Sequence, residues 1–421
     1  MQVAYQMRKS ELLFLALLVV VPVQFNKFFF LEHSFVLGLP IDYRAISIYL
    51  SDLVIVSYMV IFVFENIGGL KKICKIRKNL ILAFLAFNLY LIVTSSFFSI
   101  SLAASLWFSL KFLEFSILAI FTSISFSRLK LPGFTSLVLI FSLFWQSVVM
   151  IWQFVFQRSL GLYFLGERAF DSSTTSIAHT QFFGSLYLRP YGTFSHPNVA
   201  AAFLVIYLTI LLFGTTVSPN VRKYQFICVV VSLVALVFAY SKAAFVAAAI
   251  GLLTTVRSFM QLILIIILGG FLLGLFFRFF PPSQVASIAE RLLLSQAAFD
   301  IALKNPILGI GSANFILALS HLNLFSLAEI RLLQPVHNVF LLILVENGVA
   351  GLLLFMMLLW AVLKSATTRS KIALFIILLV FLSFDHFLWT LQQGQLLLAI
   401  SIGYIVGAKN VVRKSSHQKF C

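Results

Sequence analysis

The strongest constraint in this sequence is that it returns again and again to apolar runs long enough to cross a membrane. A crossing takes about 20 apolar residues. Such runs lie near 11–30, 46–64, 79–98, 102–127, 134–156, 197–214, 224–240, 243–256, 260–277, 337–363, 372–390 and 394–408. The expectation is an all-α polytopic membrane protein of about 12 transmembrane helices, forming one integral membrane domain over 1–421. Two runs, 243–256 and 394–408, are short enough to be re-entrant. A chain that is 61% hydrophobic and 10% charged cannot cover a soluble surface.

The net charge of +17 tempts a nucleic-acid reading, but its placement argues against one. Most basic residues fall on alternating short connections: Arg8 and Lys9; Lys71 to Lys78; Arg128 and Lys130; Arg222 and Lys223; Arg257; Lys364, Arg369 and Lys371; and Lys409 to Lys419. That is the signature of cytoplasmic loops, so both termini are expected on the cytoplasmic side. No nucleic-acid partner is expected. The three cysteines offer neither a disulfide framework nor a C-x-x-C zinc pattern, and no D-x-D pair is present. Neither a metal nor a cofactor is expected. Met-Arg-Lys precedes the first run with no small-x-small cleavage site after it, so that run reads as a retained anchor.

Two long connections fall on the opposite face, 158–196 and 278–336. In the second, Ser287 and Glu290 form an S-x-x-E capping box, which predicts a helix starting there and ending at Asn305-Pro306. Leu292, Leu293, Ala297, Ile301 and Ala302 read as its apolar side, with Arg291 projecting from it. Gly309 and Gly311 permit a tight reversal after it. The first connection ends in Arg189, Pro190, Gly192, His196, Pro197 and Asn198, a rigid hook just before a small-residue helix whose first turn suits Pro197. His337 stands where the chain re-enters lipid.

A guanidinium pair suits a diphosphate, and a neutral imidazole can accept a proton from a hydroxyl. Arg189 and Arg291 are therefore candidate diphosphate ligands and His337 a candidate catalytic base. Inside the fourth run Lys111 and Glu114 stand on one helix face, either as a site or as a self-neutralising pair. Asp52, Glu346 and Asp385 read as isolated acids. Asp42 reads as an interfacial residue paired with Arg44, the alternative being a base. His179, His321, His386 and His417 read as surface or packing residues. These features alone leave transport and catalysis both open.

Three motifs then resemble the bacterial O-antigen ligase and polymerase family. RPYGTFSHPNVAAAFL resembles its R-x-x-G-x-F-x-x-P-N-x-x-A pattern. ERLLLSQAAFDIALKNPILGIGSANF resembles its arginine, helix and N-P-x-x-G-x-G block. HNVFLLILVENGVAGLLLF resembles its H-N-x-x-L-x-x-L-x-E-x-G-x-x-G. They occur in order over roughly the second half of the chain. The family often has Ser-Arg where this chain has Ser241-Lys242.

The resemblance implies a GT-C-like fold with a partly helical periplasmic loop. It implies a metal-independent, inverting glycosyltransferase of the bacterial inner membrane, with its site facing the periplasm. The donor would be an undecaprenyl diphosphate-linked glycan and the acceptor a lipid A core sugar, as in a ligase. A polymerase or a protein transferase of the same family is the alternative, and a flippase for the same lipid is the alternative from another class. Arg189 and Arg291 would hold the diphosphate and His337 would activate the acceptor. Arg331, Lys242, Asn198 and Lys111 are further candidates.

Overall fold

The computed structural model describes residues 7–128, 132–175, 177–182, 184–214, 217–255, 285–322 and 332–407. The expected run 260–277 and residues 278–284 and 323–331 of the long connection 278–336, Arg331 among them, lie outside these, as do Arg257, Lys130 and the basic residues beyond 407. Among the described residues, seven helices are long and apolar enough to cross a membrane, and the chain is a multi-pass membrane protein.

The chain opens with α1 (Lys9–Val20), then two small ribbons: β1 (Asn26–Phe29) pairs antiparallel with β4 (Ile46–Tyr49), and β2 (Phe35–Val36) with β3 (Leu39–Pro40). The helical part of the expected crossing at 11–30 is shorter than expected: Pro22 cannot donate into a continuing helix, so α1 ends at Val20 and the chain turns into β1.

Next come α2 (Leu50–Asn66), α3 (Leu70–Ile76), α4 (Lys78–Phe97), α5 (Leu102–Arg128) and α6 (Pro132–Phe156). The long connection that follows carries a hairpin, β5 (His179–Phe182) on β6 (Ser185–Leu188). The strictly all-α expectation therefore fails in the connections, where three two-stranded ribbons form among the described residues. After it come α7 (Pro197–Thr209), α8 (Pro219–Ala239) and α9 (Lys242–Thr255). Beyond the undescribed stretch lie α10 (Val285–Lys304), α11 (Phe315–Ser320), α12 (Val339–Leu363), α13 (Arg369–Phe384), α14 (Phe387–Thr390) and α15 (Gln392–Gly407).

Helices α7 and α15 are buried along nearly their whole length and form the centre. Their small and apolar side chains let neighbouring helices surround them on every side. Helix α15 packs against α5, and α7 against α8 and α9. The peripheral helices instead present apolar stripes outward, such as Leu53, Val56, Val60 and Phe64 of α2 and Leu82, Leu85 and Leu89 of α4. Lipid is the solvent that accepts such faces.

As expected from its proline, α7 starts at Pro197, with His196 as N-cap. Helix α10 ends before Asn305-Pro306 as expected, and Ala297, Ile301 and Ala302 of its expected apolar side are buried. Leu294 and Ala298 join them in the contact with α12, while Leu292 is exposed.

The segment after α10 docks onto an opening in α12. At Gly348 the helix breaks to φ 63°, a conformation that glycine adopts freely, which frees backbone groups for pairing. The Ile310 amide donates to Val345 O at 3.1 Å, the Gly311 amide to Glu346 O at 2.8 Å, and the Val349 amide to Pro306 O at 2.8 Å. Gly309, at φ 72°, makes the reversal that brings the segment alongside. The N-P-x-x-G-x-G and E-x-G sequences are thus two halves of one junction, which anchors the C-terminal end of α10.

Candidate functional site

Helix directions gather the chemistry-bearing residues at one end of the bundle. Asp52 near the start of α2, Gln392 at the start of α15, Asp385 at the end of α13 and Ala239 at the end of α8 all lie there, joined by the contacts below. The basic connections meet at the opposite end, where Arg8 and Arg128 both donate to Asn66 Oδ1 at the close of α2.

Arg189 is buried, 8% exposed. Its Nε donates to Ala239 O at 2.8 Å and its Nη2 to Asn198 Oδ1 at 2.8 Å. Asn198 Nδ2 passes the connection on, donating to Asp385 Oδ2 at 2.8 Å. The amide has one workable orientation, since a flip would set donor against donor at Arg189. Asp385 Oδ1 accepts the His386 amide at 2.8 Å, and His386 Nδ1 lies 2.7 Å from Thr390 Oγ1. The His386 ring stands 5.2 Å from His337 and 5.6 Å from Tyr43. Arg291 Nη1 reaches Phe384 O at 3.3 Å, directly before Asp385. The hook, α10, the head of α12 and the α13–α14 break therefore converge.

A cavity of about 280 Å³ opens beside this cluster, its wall including Asp42, Lys111, His196, His337, Asp385 and His386. His337 Nδ1 is buried with no hydrogen-bond partner among the described residues, as is Ser195 Oγ on the same wall. Neither Arg189 nor Arg291 belongs to the wall. They stand behind it, Arg189 fully enclosed and Arg291 half-exposed. The N-terminal ends of α7, α12 and α15 also meet here, and their dipoles add positive potential that favours an anion.

Burial pushes His337 below the ordinary histidine range. Asp385 opposes that shift and Arg291 reinforces it. Burial lowers His386 to about 3, against Asp385. His196 is lowered as well, by burial and then by Arg189. Burial alone would raise Asp385, but His386, His337, His196 and Arg291 outweigh it and hold it ionised. Burial brings Arg189 down to about 10, which leaves it charged at neutral pH. The set is one carboxylate, neutral imidazoles and two cations.

Several expectations are corrected. Asp385 is not isolated, and His386 is not a surface or packing residue; they occupy a break between α13 and α14 that the apolar run 372–390 concealed. Asp52 is not isolated either: Lys111 Nζ lies 2.8 Å from Asp52 and 2.7 Å from Glu114, so the expected pair is a triad. Arg44 does not pair with Asp42. It is buried and donates to His33 O, Ala313 O and Asn314 Oδ1, while the cation acting on Asp42 is Arg168 of the connection between α6 and α7. Glu346 accepts the Phe315 amide at 3.2 Å. Lys242 is exposed at the start of α9 and is not on the cavity wall. Asn198 is the link between Arg189 and Asp385. The order His337…Asp385-His386, with both histidines flanking helix starts, is the signal that could have pointed to the cluster.

His337, Asp385 and His386 each offer a ligand atom, all within 4.8 Å of one another, so these three could hold a metal ion. The absence of metal-ligand spacing in the sequence did not foresee this.

Residues 227–356 match the family described as O-antigen ligase. No curated protein matches the chain.

Proposed function

We propose that this chain, a member of the O-antigen ligase and polymerase family, transfers a glycan from an undecaprenyl diphosphate carrier to an acceptor hydroxyl at the outer face of the bacterial inner membrane. The acceptor under this reading is a lipid A core sugar. The observation that carries it is the neutral His337 ring on a cavity wall, its buried Nδ1 without a hydrogen-bond partner among the described residues, backed by Asp385 and two guanidinium charges.

The orientation rests on the basic connections, which lie at the end opposite the cavity and mark the cytoplasmic side. Both termini are then cytoplasmic, and about 12 crossings result if the shorter helices and 260–277 also span. The outward apolar stripes would shelter the isoprenoid tail.

In the proposed reaction the carrier's diphosphate sits in the positive potential of the three helix starts, Arg291 and the enclosed Arg189. An acceptor hydroxyl gives its proton to His337, and its oxygen attacks the anomeric carbon from the side opposite the phosphate. The bond from that carbon to the phosphate oxygen breaks, its electron pair leaving with the diphosphate, and the configuration inverts. Asp385 stabilises the imidazolium that forms. The reaction is metal-independent in this reading. Both Asp385 oxygens already accept hydrogen bonds and Thr390 occupies His386 Nδ1, and a divalent ion at this cluster would sit close to the charge of Arg291.

Purified protein in liposomes, given carrier-linked glycan and acceptor, is expected to free undecaprenyl diphosphate, seen by mass spectrometry of the lipid, with or without a chelator. Intact carrier moved across the bilayer would identify a flippase instead. Loss of release in the chelator would make His337, Asp385 and His386 a metal centre.

The pH dependence follows from the same groups. A base must be deprotonated, and burial lowers His337, so the acid limb of kcat/KM is expected below the ordinary histidine range near 6.5. Asp385→Asn removes the anion that opposes this shift and should move the limb lower still. A limb that stays in place in that variant would remove His337 as the titrating group.

A further inference from the structure

We infer that the side of the cavity formed by α5 and the first turn of α15 is a subsite for a saccharide ring, with Trp107 as its stacking face; this rests on the glycosyl-transfer reading above. Trp107, Lys111, Gln392 and Gln395 line the same cavity as His337. Lys111 lies nine residues into α5, about 14 Å from its start at 1.5 Å per residue. So the cavity carries polar groups well below the helix ends, where charges are costly and mark a site.

The chemistry of this side differs from that of the phosphate side. Lys111 is already matched by two carboxylates, Asp52 and Glu114, so it offers little to a further anion. Gln392 spends its amide nitrogen on Ser51 Oγ and on Asp52, and Gln395 spends its own on Trp389 O at 2.7 Å. Their carbonyl oxygens remain as acceptors. Gln24, also on the wall, has a buried Oε1 without a partner among the described residues. An acceptor-rich surface calls for a ligand with many hydroxyl donors. The Trp107 face, half-buried and with Lys111 Nζ 5.9 Å from its ring, adds a flat negative surface for the C–H groups of a sugar ring. A phosphate would meet carboxylates here, and an isoprenoid tail would strand the polar groups. A sugar ring satisfies both.

The ring can belong to the donor's first sugar or to the acceptor, and binding separates the two. The full-length protein in nanodiscs is titrated with undecaprenyl diphosphate, with undecaprenyl diphosphate bearing one monosaccharide, and with free acceptor saccharide. Trp107→Ala is expected to weaken one sugar-bearing probe by up to about tenfold. Bare carrier should bind unchanged, and Trp107→Phe should retain most of the affinity. Weakening confined to the monosaccharide carrier assigns the ring to the donor; weakening confined to the free saccharide assigns it to the acceptor. Unchanged binding of every probe, or equal weakening of the bare carrier, overturns the subsite while leaving the functional reading standing. Failure of the wild type to bind bare carrier would overturn that reading first.

Discussion

Replacing His337 with alanine is expected to lower the rate of undecaprenyl diphosphate release by about 10²–10⁴-fold, the usual contribution of a positioned general base. The expectation rests on position as much as on residue type. His337 stands two residues before the start of α12, and the Asn338 side chain between them caps that helix by accepting the Leu341 amide at 2.9 Å. Asn338 also donates to Ser383 O at 3.1 Å, tying the start of α12 to the end of α13 and so to Asp385. The imidazole is therefore held by a capped helix against its own counter-charge. Because its Nδ1 has no partner among the described residues to lose, truncation should leave folding almost intact. The defect should appear in kcat with little change in carrier affinity.

Arg189→Ala is expected to damage both activity and stability. The buried acceptor Ala239 O would lose its donor, at about 1–3 kcal/mol, and the part-buried Asn198 Oδ1 would lose its own. Asn198 would then be free to rotate, and Asp385 would lose the hydrogen bond that orients its Oδ2. Release should fall by about 10²–10³-fold, the usual cost of removing one preorganised electrostatic group, and the melting temperature should drop as well. Arg189→Lys should not restore either, because a lysine cannot donate to both acceptors in the geometry of the guanidinium fork. Arg291 touches the cluster through a single 3.3 Å bond and is half-exposed, so Arg291→Ala should cost activity without the loss of stability. Measuring thermal unfolding and release on the same preparations separates the two arginines.

What the chain discloses by itself follows the strength of its local signals. The hook before α7 was readable because Pro197 and Gly192 have narrow conformational uses, and the Gly309–Gly311 reversal was readable for the same reason. Long apolar periods gave α4, α5, α6 and α12 nearly to the residue. The Asp385-His386 pair was not readable. A two-residue break inside an apolar run barely changes its mean hydropathy, and what ties Asp385 to Arg189 is Asn198, which lies 187 positions away from Asp385. The Lys111–Asp52 contact has the same character, since helix periodicity could join Lys111 to Glu114 but not to a residue on α2. The ribbon over Asn26–Tyr49 was hidden because its phenylalanines read as a continuation of the first crossing. Local pattern thus singled out Arg189, Arg291 and His337, while tertiary contacts supplied the groups that couple them.

The most direct measurement compares carrier binding with carrier release in His337→Ala and Arg291→Ala, each in the full-length protein with undecaprenyl diphosphate-linked glycan and acceptor supplied. The account predicts that His337→Ala binds the carrier as the wild type does yet frees almost no undecaprenyl diphosphate, whereas Arg291→Ala loses affinity for the carrier. Wild-type rates of release from both variants would contradict it.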